Sequence, residues 1–508
     1  MNNYQPTFQK SITVTVNGKK ITAEENSLLS KITKMEALCG GHGKCGKCKI
    51  FARGSLSPVS DSERDLLSEK ELAHGIRLAC LTRAVGDCEI ASIQSAQNGQ
   101  MIAQAEPPKT EIKPGFTTYG VCVDIGTTTL AARLYDTHGT LLAEDARLNP
   151  QSSHGADVIS RIEAAMEGAD ADLATAIRGA LNDIFSRLAE LAKINAGRID
   201  GVVLTGNTVM LSLLTGESTE PLSHAPFATR RLFGETLTAE ALDLHMLSKS
   251  TPVYLPPCIS AFVGADTVCA ILATALCDEK TAMLADIGTN GEMALWHDGE
   301  LTVCSVAAGP AFEGVGISMG MRANAGAIDK VSIVNGIPFA HVIGELPPVG
   351  ICGSGLLDAA ACMLDLEILD ESGYLEEPFA ISPPVWLNQR DLRMLQLAKS
   401  AVCAGLITLM KSKGLYPDQI SALWVAGGFG AYLNPRSAVR IGLLPKALAE
   451  RMNAVGNAAL TGASLLLLNT DARDTASKIS TRAVTLSLAE SPIFAERYIS
   501  CMALKPCD

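Results

Sequence analysis

Two short stretches of this chain are near copies: "VDIGTTT" at 123–129 and "ADIGTNG" at 285–291. Each joins an almost wholly apolar run, the pattern of a buried strand, to glycine and small hydroxyl residues. Two further runs, "GVVLTGN" and "ALWVAGG", also stop at glycine. Internal duplication of an α/β lobe is the simplest account, and it predicts two lobes, roughly 119–280 and 281–508. The chemistry of such a loop follows from its parts. A strand-end carboxylate, Asp124 or Asp286, sits beside backbone amides that wrap phosphate oxygens, so it attracts Mg²⁺ or orients water. Gly126, Thr127, Thr128 and Thr129 in one loop, and Gly288, Thr289, Asn290 and Gly291 in the other, are the expected cradle. One loop alone is weak evidence, because Asp and Gly are common where strands turn. Two are much stronger.

At 508 residues the chain exceeds one ordinary core, and the residues before the first copy read as a separate unit. Alternation in Ile12–Val14–Val16, an Asn17-Gly18 turn and a strand at Lys20–Thr22 predict a β-hairpin. A helix is expected from about Ser27, then a strand in "CKIFARG", helix and turns in "SDSERDLLSEKELAHG", and a last strand in "DCEIAS". This small α+β domain spans 1–96. Residues 97–118 lose apolar periodicity and carry Pro107, Pro108 and Pro114, which predicts an extended linker of about 3.1 Å per residue.

The first unit holds its own chemistry. "CGGHGKCGKC", 39–48, packs Cys39, Cys45 and Cys48 among glycines and lysines, and Cys80 follows at a distance. Three close thiols and one remote resemble the plant-type 2Fe–2S pattern, here with the longer first gap of adrenodoxin-type spacing. The "GIRLAC" context of Cys80 also resembles the β-grasp ferredoxins. The glycines let backbone amides turn toward anionic sulfur, and Lys44, Lys47 and Lys49 add positive potential. A zinc site also takes four thiolates, although it more often shows two CxxC knuckles. Cys88 is an alternative fourth ligand. Cys122, Cys258, Cys269, Cys277, Cys304, Cys352, Cys362 and Cys403 lie in apolar stretches and read as small hydrophobes. Cys501 and Cys507 lack a second pair and do not read as another cluster.

Composition narrows the partners. Forty-two Lys and Arg against 54 Asp and Glu give a net charge of −12, which disfavours nucleic acid and anionic membrane surfaces. No run of about 18 apolar residues appears, and "MNNYQPTFQK" lacks the apolar core of an export signal, so a cytoplasmic chain with reduced thiols is expected.

The paired loops resemble the phosphate-1 and phosphate-2 motifs of the actin/Hsp70/sugar-kinase superfamily, whose lobes are ribonuclease H-like. "WVAGGFGAYLN", 424–434, looks like its adenosine motif, with Gly427, Gly428 and Gly430 allowing a nucleotide to lie against backbone. "PPCISAFVGADTVCAIL" and "GNAALTGASLLL" occupy the places of its two connecting helices. Asp266 falls near the start of the first, where a metal or water role and a simple helix-dipole role both stay open. "CGSGLLDAA" runs Gly353-Ser354-Gly355 into an apolar helix whose N-terminus either faces a ligand or permits close packing.

A ferredoxin-like module joined to such an ATPase resembles, over nearly all the chain, the ATP-dependent reductive activators of corrinoid proteins. "DIGTTT", "DVISRI", "GPAFEG", "CGSGLLD" and "AGGFG" look like that family's signatures. The resemblance implies a 2Fe–2S cluster, ATP and Mg²⁺ as cofactors. It implies a corrinoid methyl-carrier protein whose inactive Co(II) is returned to Co(I), and an upstream electron donor; a second copy of the chain is a further candidate partner. Several hundred millivolts of uphill one-electron transfer requires on the order of 10 kcal/mol, within reach of a nucleotide-driven cycle. One departure is expected: only about 20 residues separate "EIAS" from "VCVDIG", which leaves no room for the additional domain that some members carry between linker and ATPase. The rival readings are a ferredoxin-fused small-molecule kinase and a non-enzymatic redox sensor or filament former.

Overall fold

Alternating apolar residues in "SITVTV" form β1 (Ser11–Val16), with Ile12 and Val14 buried, and it pairs antiparallel with β2 (Lys19–Glu24). The computed structural model describes residues 11–16, 19–33, 41, 43, 46, 48–67, 69–73, 75–92, 108 and 110–507. Two compact units result: Met1–Gly99 with Pro150–Ala164, and Gln100–Asn149 with Ala165–Asp508.

The first unit continues with β3 (Ser27–Leu28), α1 (Leu29–Thr33), β4 (Lys49–Leu56), α2 (Asp61–Leu66), α3 (Glu69–Ala73), β5 (Ile76–Leu78) and β6 (Arg83–Ser92), and includes α4 (Val158–Ala164). The helix expected from Ser27 begins two residues later, because Ser27 and Leu28 first pair with Ala84 and Arg83. The sheet order is β2-β1-β6-β4-β5, with β1 and β6 parallel at its centre and its other pairs antiparallel, the arrangement of a β-grasp. Its core is Val14, Leu29, Ile50, Leu78 and Ile90, all fully buried. The Asn17-Gly18 turn lies outside the described residues.

A buried ion pair braces this unit. Ser60 caps α2 in a reciprocal capping box with Glu63. Glu63 is fully buried and accepts from Arg77 Nε and Nη2, both at 3.0 Å, from Leu78 N at 3.1 Å and from Thr82 Oγ1 at 2.9 Å. Burial alone would raise its pKa; the Arg77 guanidinium and the converging amides overcome that and hold it down at about 2. The pair ties α2 to β5, the strand that leads into Cys80.

The second unit repeats one plan. β7 (Tyr119–Ile125), β8 (Thr129–Asp136) and β9 (Leu141–Leu148) form an antiparallel meander. After α5 (Asp170–Ala192), β10 (Ile199–Gly206) pairs parallel to the other side of β7. α6 (Thr208–Thr215), the edge strand β11 (Glu235–Thr238), β12 (Pro252–Leu255) and α7 (Ala265–Ala273) complete the lobe, giving the order β11-β12-β10-β7-β8-β9.

The next lobe begins with β13 (Thr281–Ile287), β14 (Gly291–His297) and β15 (Glu300–Val306), again an antiparallel meander. A three-stranded sheet of β16 (Ala327–Val334), β17 (Ile337–Val342) and β18 (Gly350–Ile351) precedes α8 (Gly353–Asp365). A hairpin of β19 (Phe379–Ser382) and β20 (Val385–Leu387) leads to α9 (Gln389–Ser412). β21 (Ala422–Ala426) then pairs parallel to β13, as β10 does to β7. α10 (Pro435–Arg440), α11 (Lys446–Ala449), β22 (Met452–Gly456), α12 (Ala458–Leu468), α13 (Ala472–Arg482), β23 (Val484–Thr485) and α14 (Pro492–Ser500) follow. Five strands of the order β22-β21-β13-β14-β15-β23 match β12-β10-β7-β8-β9 of the first lobe, with β11 and β23 added at opposite edges, so all four glycine-terminated apolar runs are strands of matching sheets.

Among the described residues one helix, α9, is long and apolar enough to cross a membrane, and 83% of its most apolar window is buried inside the protein. It is the core helix of the second lobe. The expected linker is also partly structured. Lys113 N donates to Leu468 O at 2.8 Å, Thr470 N donates to Lys113 O at 3.1 Å, and Phe116 is buried, so residues 113–116 are anchored within the second unit rather than extended in solvent.

Candidate functional site

Both duplicated loops are closed by their own backbone. Gly126 N donates to Thr129 O at 3.0 Å, and Gly288 N donates to Asn290 O at 3.1 Å. A methyl group at Gly126 would lie 2.6 Å from the Thr129 carbonyl oxygen, so only glycine fits that turn. Asn149 supports the first loop: its N donates to Thr128 O and its Nδ2 to Gly126 O, at 3.0 and 2.9 Å.

Glu313 joins the two loops. Thr128 Oγ1 donates to Glu313 Oε2 at 2.7 Å, and Thr289 Oγ1 donates to Glu313 Oε1 at 2.9 Å. The threonine oxygens are themselves 3.5 Å apart. One carboxylate therefore fixes the separation of the two lobes' duplicated loops. "GPAFEG" marks this segment in the sequence, but neither spacing nor composition reveals what its glutamate contacts.

Two other contributors were hidden in flanking motifs. Asn457 Nδ2 donates to Asp124 Oδ2 at 2.8 Å while its Oδ1 caps α12 by accepting from Leu460 N. Asn207 Nδ2 donates to Thr127 Oγ1 at 3.1 Å and caps α6 in the same way. In both cases a helix cap orients a residue of the first loop.

The acids form a set. Asp124 and Asp286 end β7 and β13, Asp266 is the second residue of α7, and Glu292 sits opposite Asp286 on β14. Burial pushes Asp124 up to about 7, reinforced by Asp266; Asp286 rises to about 7 by burial and by Asp266 and Asp124. Asp266 reaches about 6 through burial, and Glu292 is raised well above the carboxylate range by burial with Asp266 and Asp286 beside it. Among the described residues none of the four is in an ion pair. Mutually repelling carboxylates with no cationic side chain attract a divalent cation; among the described residues no three of them converge to ligate one directly, which suits Mg²⁺ held through its own waters and a substrate's phosphates.

The adenosine-like loop touches this centre. Gly427 has φ +92°, and a methyl there would lie 2.6 Å from Ile287 O and 2.9 Å from Asp286 Oδ1. Gly428 is exposed with open space beside it, as close approach of a ligand to backbone requires, whereas Gly430 packs on Val425. Phe429 stacks on Phe312 with ring centroids 4.5 Å apart. Gly353 lies against both: a methyl would meet Phe312 O at 2.1 Å and the Phe429 ring at 2.9 Å. At Gly355 it would meet Ile328 O at 2.2 Å, and Ser354 Oγ donates to Asp329 O at 2.9 Å. These three residues are fully engaged in packing α8, which gives their small size a structural reason.

In the first unit, Cys48 and Cys80 are buried with their Sγ atoms 3.2 Å apart, and Cys80 N donates to Cys48 Sγ at 3.5 Å. Gly41, Gly43 and Gly46 all have positive φ, between +65° and +81°. Adjacent thiols, an amide aimed at sulfur and left-handed glycines fit an iron–sulfur centre. Cys39, Cys45, Lys44 and Lys47 lie outside the described residues. Lys49 pairs with Glu71 at 2.6 Å, so its charge is partly neutralised. Cys88 is buried on β6 opposite Gly54.

Twin sheets whose duplicated loops meet at one carboxylate have the plan of the ATPases of the actin and sugar-kinase class, carried on the same chain as a ferredoxin-like unit. Family models agree: the C-terminal domain of RACo, the ASKHA domain, matches residues 280–508, and the RACo middle region matches 119–279. The corrinoid activation enzyme RamQ of Eubacterium limosum is 33% identical over 434 residues, 79% of this chain and 72% of that one. A Methanosarcina barkeri protein described as a Co(II) methylated amine-specific corrinoid protein reductase is 26% identical over 417 residues, 75% and 76% of the two chains. A solved reductive activator for a corrinoid, iron–sulfur protein superposes with TM-score 0.74 at 25% identity, covering 98% of this chain and 99% of that one. The chain belongs to the family of ATP-dependent reductive activators of corrinoid proteins. The matched middle region, residues 119–279, coincides with the first lobe.

Proposed function

We propose that this protein passes one low-potential electron from a 2Fe–2S cluster held by Cys39, Cys45, Cys48 and Cys80 to the Co(II) state of a corrinoid methyl-carrier protein, restoring Co(I). In this reading the phosphates of ATP lie on the loops 126–129 and 288–291, with the nucleoside along Gly427, Gly428 and Gly430. Asp124, Asp266 and Asp286 hold Mg²⁺ and its water. Mg²⁺ supplies charge neutralisation at the phosphates. Glu313 sets the spacing of the loops, and Asn457 orients Asp124. The domain scheme is 1–96 for the cluster, 97–118 as connection and 119–508 for the two-lobed ATPase. The chain works in the cytoplasm, takes its electron from a separate reduced donor, and is able to act as a homodimer.

The observation that carries the reading is the pairing, in one chain, of adjacent buried thiols with two phosphate loops joined through Glu313. Anaerobic reconstitution with iron and sulfide tests it. Iron and acid-labile sulfide should bind in equal amounts, one-electron reduction should give a paramagnetic signal, and Cys48→Ala should lose both. ATP turnover should release free phosphate. Appearance of the γ-phosphate on a small-molecule hydroxyl would instead identify a kinase.

A further inference from the structure

The mechanism leaves one chemical cluster unused. Cys403 lies on the buried side of α9, one turn after Lys399, and both are 0% exposed. Cys501 caps α14 and Cys507 follows it, and both return to the same helix face. Cys403 Sγ is 2.9 Å from Cys507 Sγ and 3.6 Å from Cys501 Sγ. Cys507 is the most accessible of the three, half-buried, with Sγ 3.7 Å from Gly442 O.

Lys399 brings a buried positive charge to this group. Its ammonium donates to Ala503 O; burial lowers the pKa of Lys399, and the three neighbouring thiols oppose that. A cation beside thiols favours the thiolate, the form that attacks oxidants and disulfides. Contact with Cys403, together with Lys399, draws the Cys501 thiol down to about 7, while the same contact and burial push Cys403 up. The buried ammonium opposes a metal cation, and among the described residues no group of His, Cys, Asp and Glu is placed to hold one.

We propose that Cys403 and Cys507 form an oxidisable dithiol, which a hydroperoxide closes to a disulfide and a dithiol reductant reopens, with Cys501 as the exchange partner. Cys507, the accessible sulfur, attacks the peroxide oxygen and gives up its thiol proton: an S–O bond forms, the O–O bond breaks, and the departing hydroxide takes up that proton as water. Cys403 then attacks the Cys507 sulfur, so the S–S bond forms, the S–O bond breaks and a second water leaves. Two thiols lose two electrons and one peroxide gains them. The sulfurs need close by only about 0.9 Å to reach a bond of about 2.05 Å. Closure fastens residues 502–507 to α9, whose first turn accepts from Ser318 N through Asp391 at 2.6 Å, close in sequence to Glu313.

The full-length protein, purified without oxygen, is treated with one equivalent of hydrogen peroxide, alkylated and mapped by non-reducing proteolysis. Fragmentation between Lys505 and Pro506 separates Cys501 from Cys507. The expected product links Cys403 to Cys507, disappears with dithiothreitol and raises the thermal midpoint. Cys507→Ser should shift the link to Cys501, and Cys501→Ser should leave the Cys403–Cys507 link in place. Cys403 still alkylated after oxidation, with Cys507 carried to sulfinate, would overturn the proposal.

Discussion

Glu313 is the residue that joins the two duplicated loops, because its carboxylate accepts from a threonine hydroxyl of each. A glutamine of the same shape has one carbonyl acceptor, so Glu313→Gln turns one threonine hydroxyl from donor to acceptor and removes the negative charge between the loops. Phosphate release from ATP should fall by roughly 10–100-fold, with an unchanged far-ultraviolet spectrum. Hydrolysis at the wild-type rate would assign Glu313 to packing alone. Asp286→Asn removes a carboxylate from the acidic set rather than a spacer. Its expected loss is about 10²-fold or more in hydrolysis, with Mg²⁺ dependence shifted to higher concentration, read by titrating Mg²⁺ at fixed ATP.

At the scale of elements, two contacts invite direct measurement. Glu63→Gln leaves Arg77 buried without its charge partner, which should destabilise the ferredoxin-like unit by about 3–5 kcal/mol in chemical denaturation. The pH dependence has a definite sign. Glu63 is lowered to about 2 in the folded state from an ordinary 4.5, so its stabilisation is complete above about 4.5 and is lost as pH falls through that value toward 2. Acid unfolding of this unit should begin at higher pH in the variant, followed by loss of visible absorption. The second contact is the crossing of α7 and α12, where a methyl at Gly462 would lie 2.0 Å from Cys269 O. Gly462→Ala should cost about 1–3 kcal/mol and weaken ATP binding, since the Asn457 cap moves with α12.

Elements also show what was readable beforehand. The four apolar runs ending in glycine, and the β-hairpin at Ile12, needed only periodicity and turn chemistry, and both are local. The anchored segment 113–116 was not readable, because its partners, Leu468 and Thr470, lie more than 350 positions away. Glu313, Asn207 and Asn457 were missed for the same reason: each stands in a quoted motif, yet its role depends on which loop the fold brings to it. Cys403 reads locally as a small hydrophobe, and only folding sets it beside Cys507.

For the molecule as a whole, the account requires that nucleotide chemistry in one unit license electron delivery from the other. The direct test is to mix the reconstituted protein with a reductant, Mg²⁺–ATP and a Co(II) corrinoid protein without oxygen, and to follow the visible spectrum. The account predicts Co(I) that appears only with ATP and is lost in Cys45→Ala and Asp286→Asn. Co(I) formed equally well without ATP, or by the Cys45 variant at the wild-type rate, would contradict it.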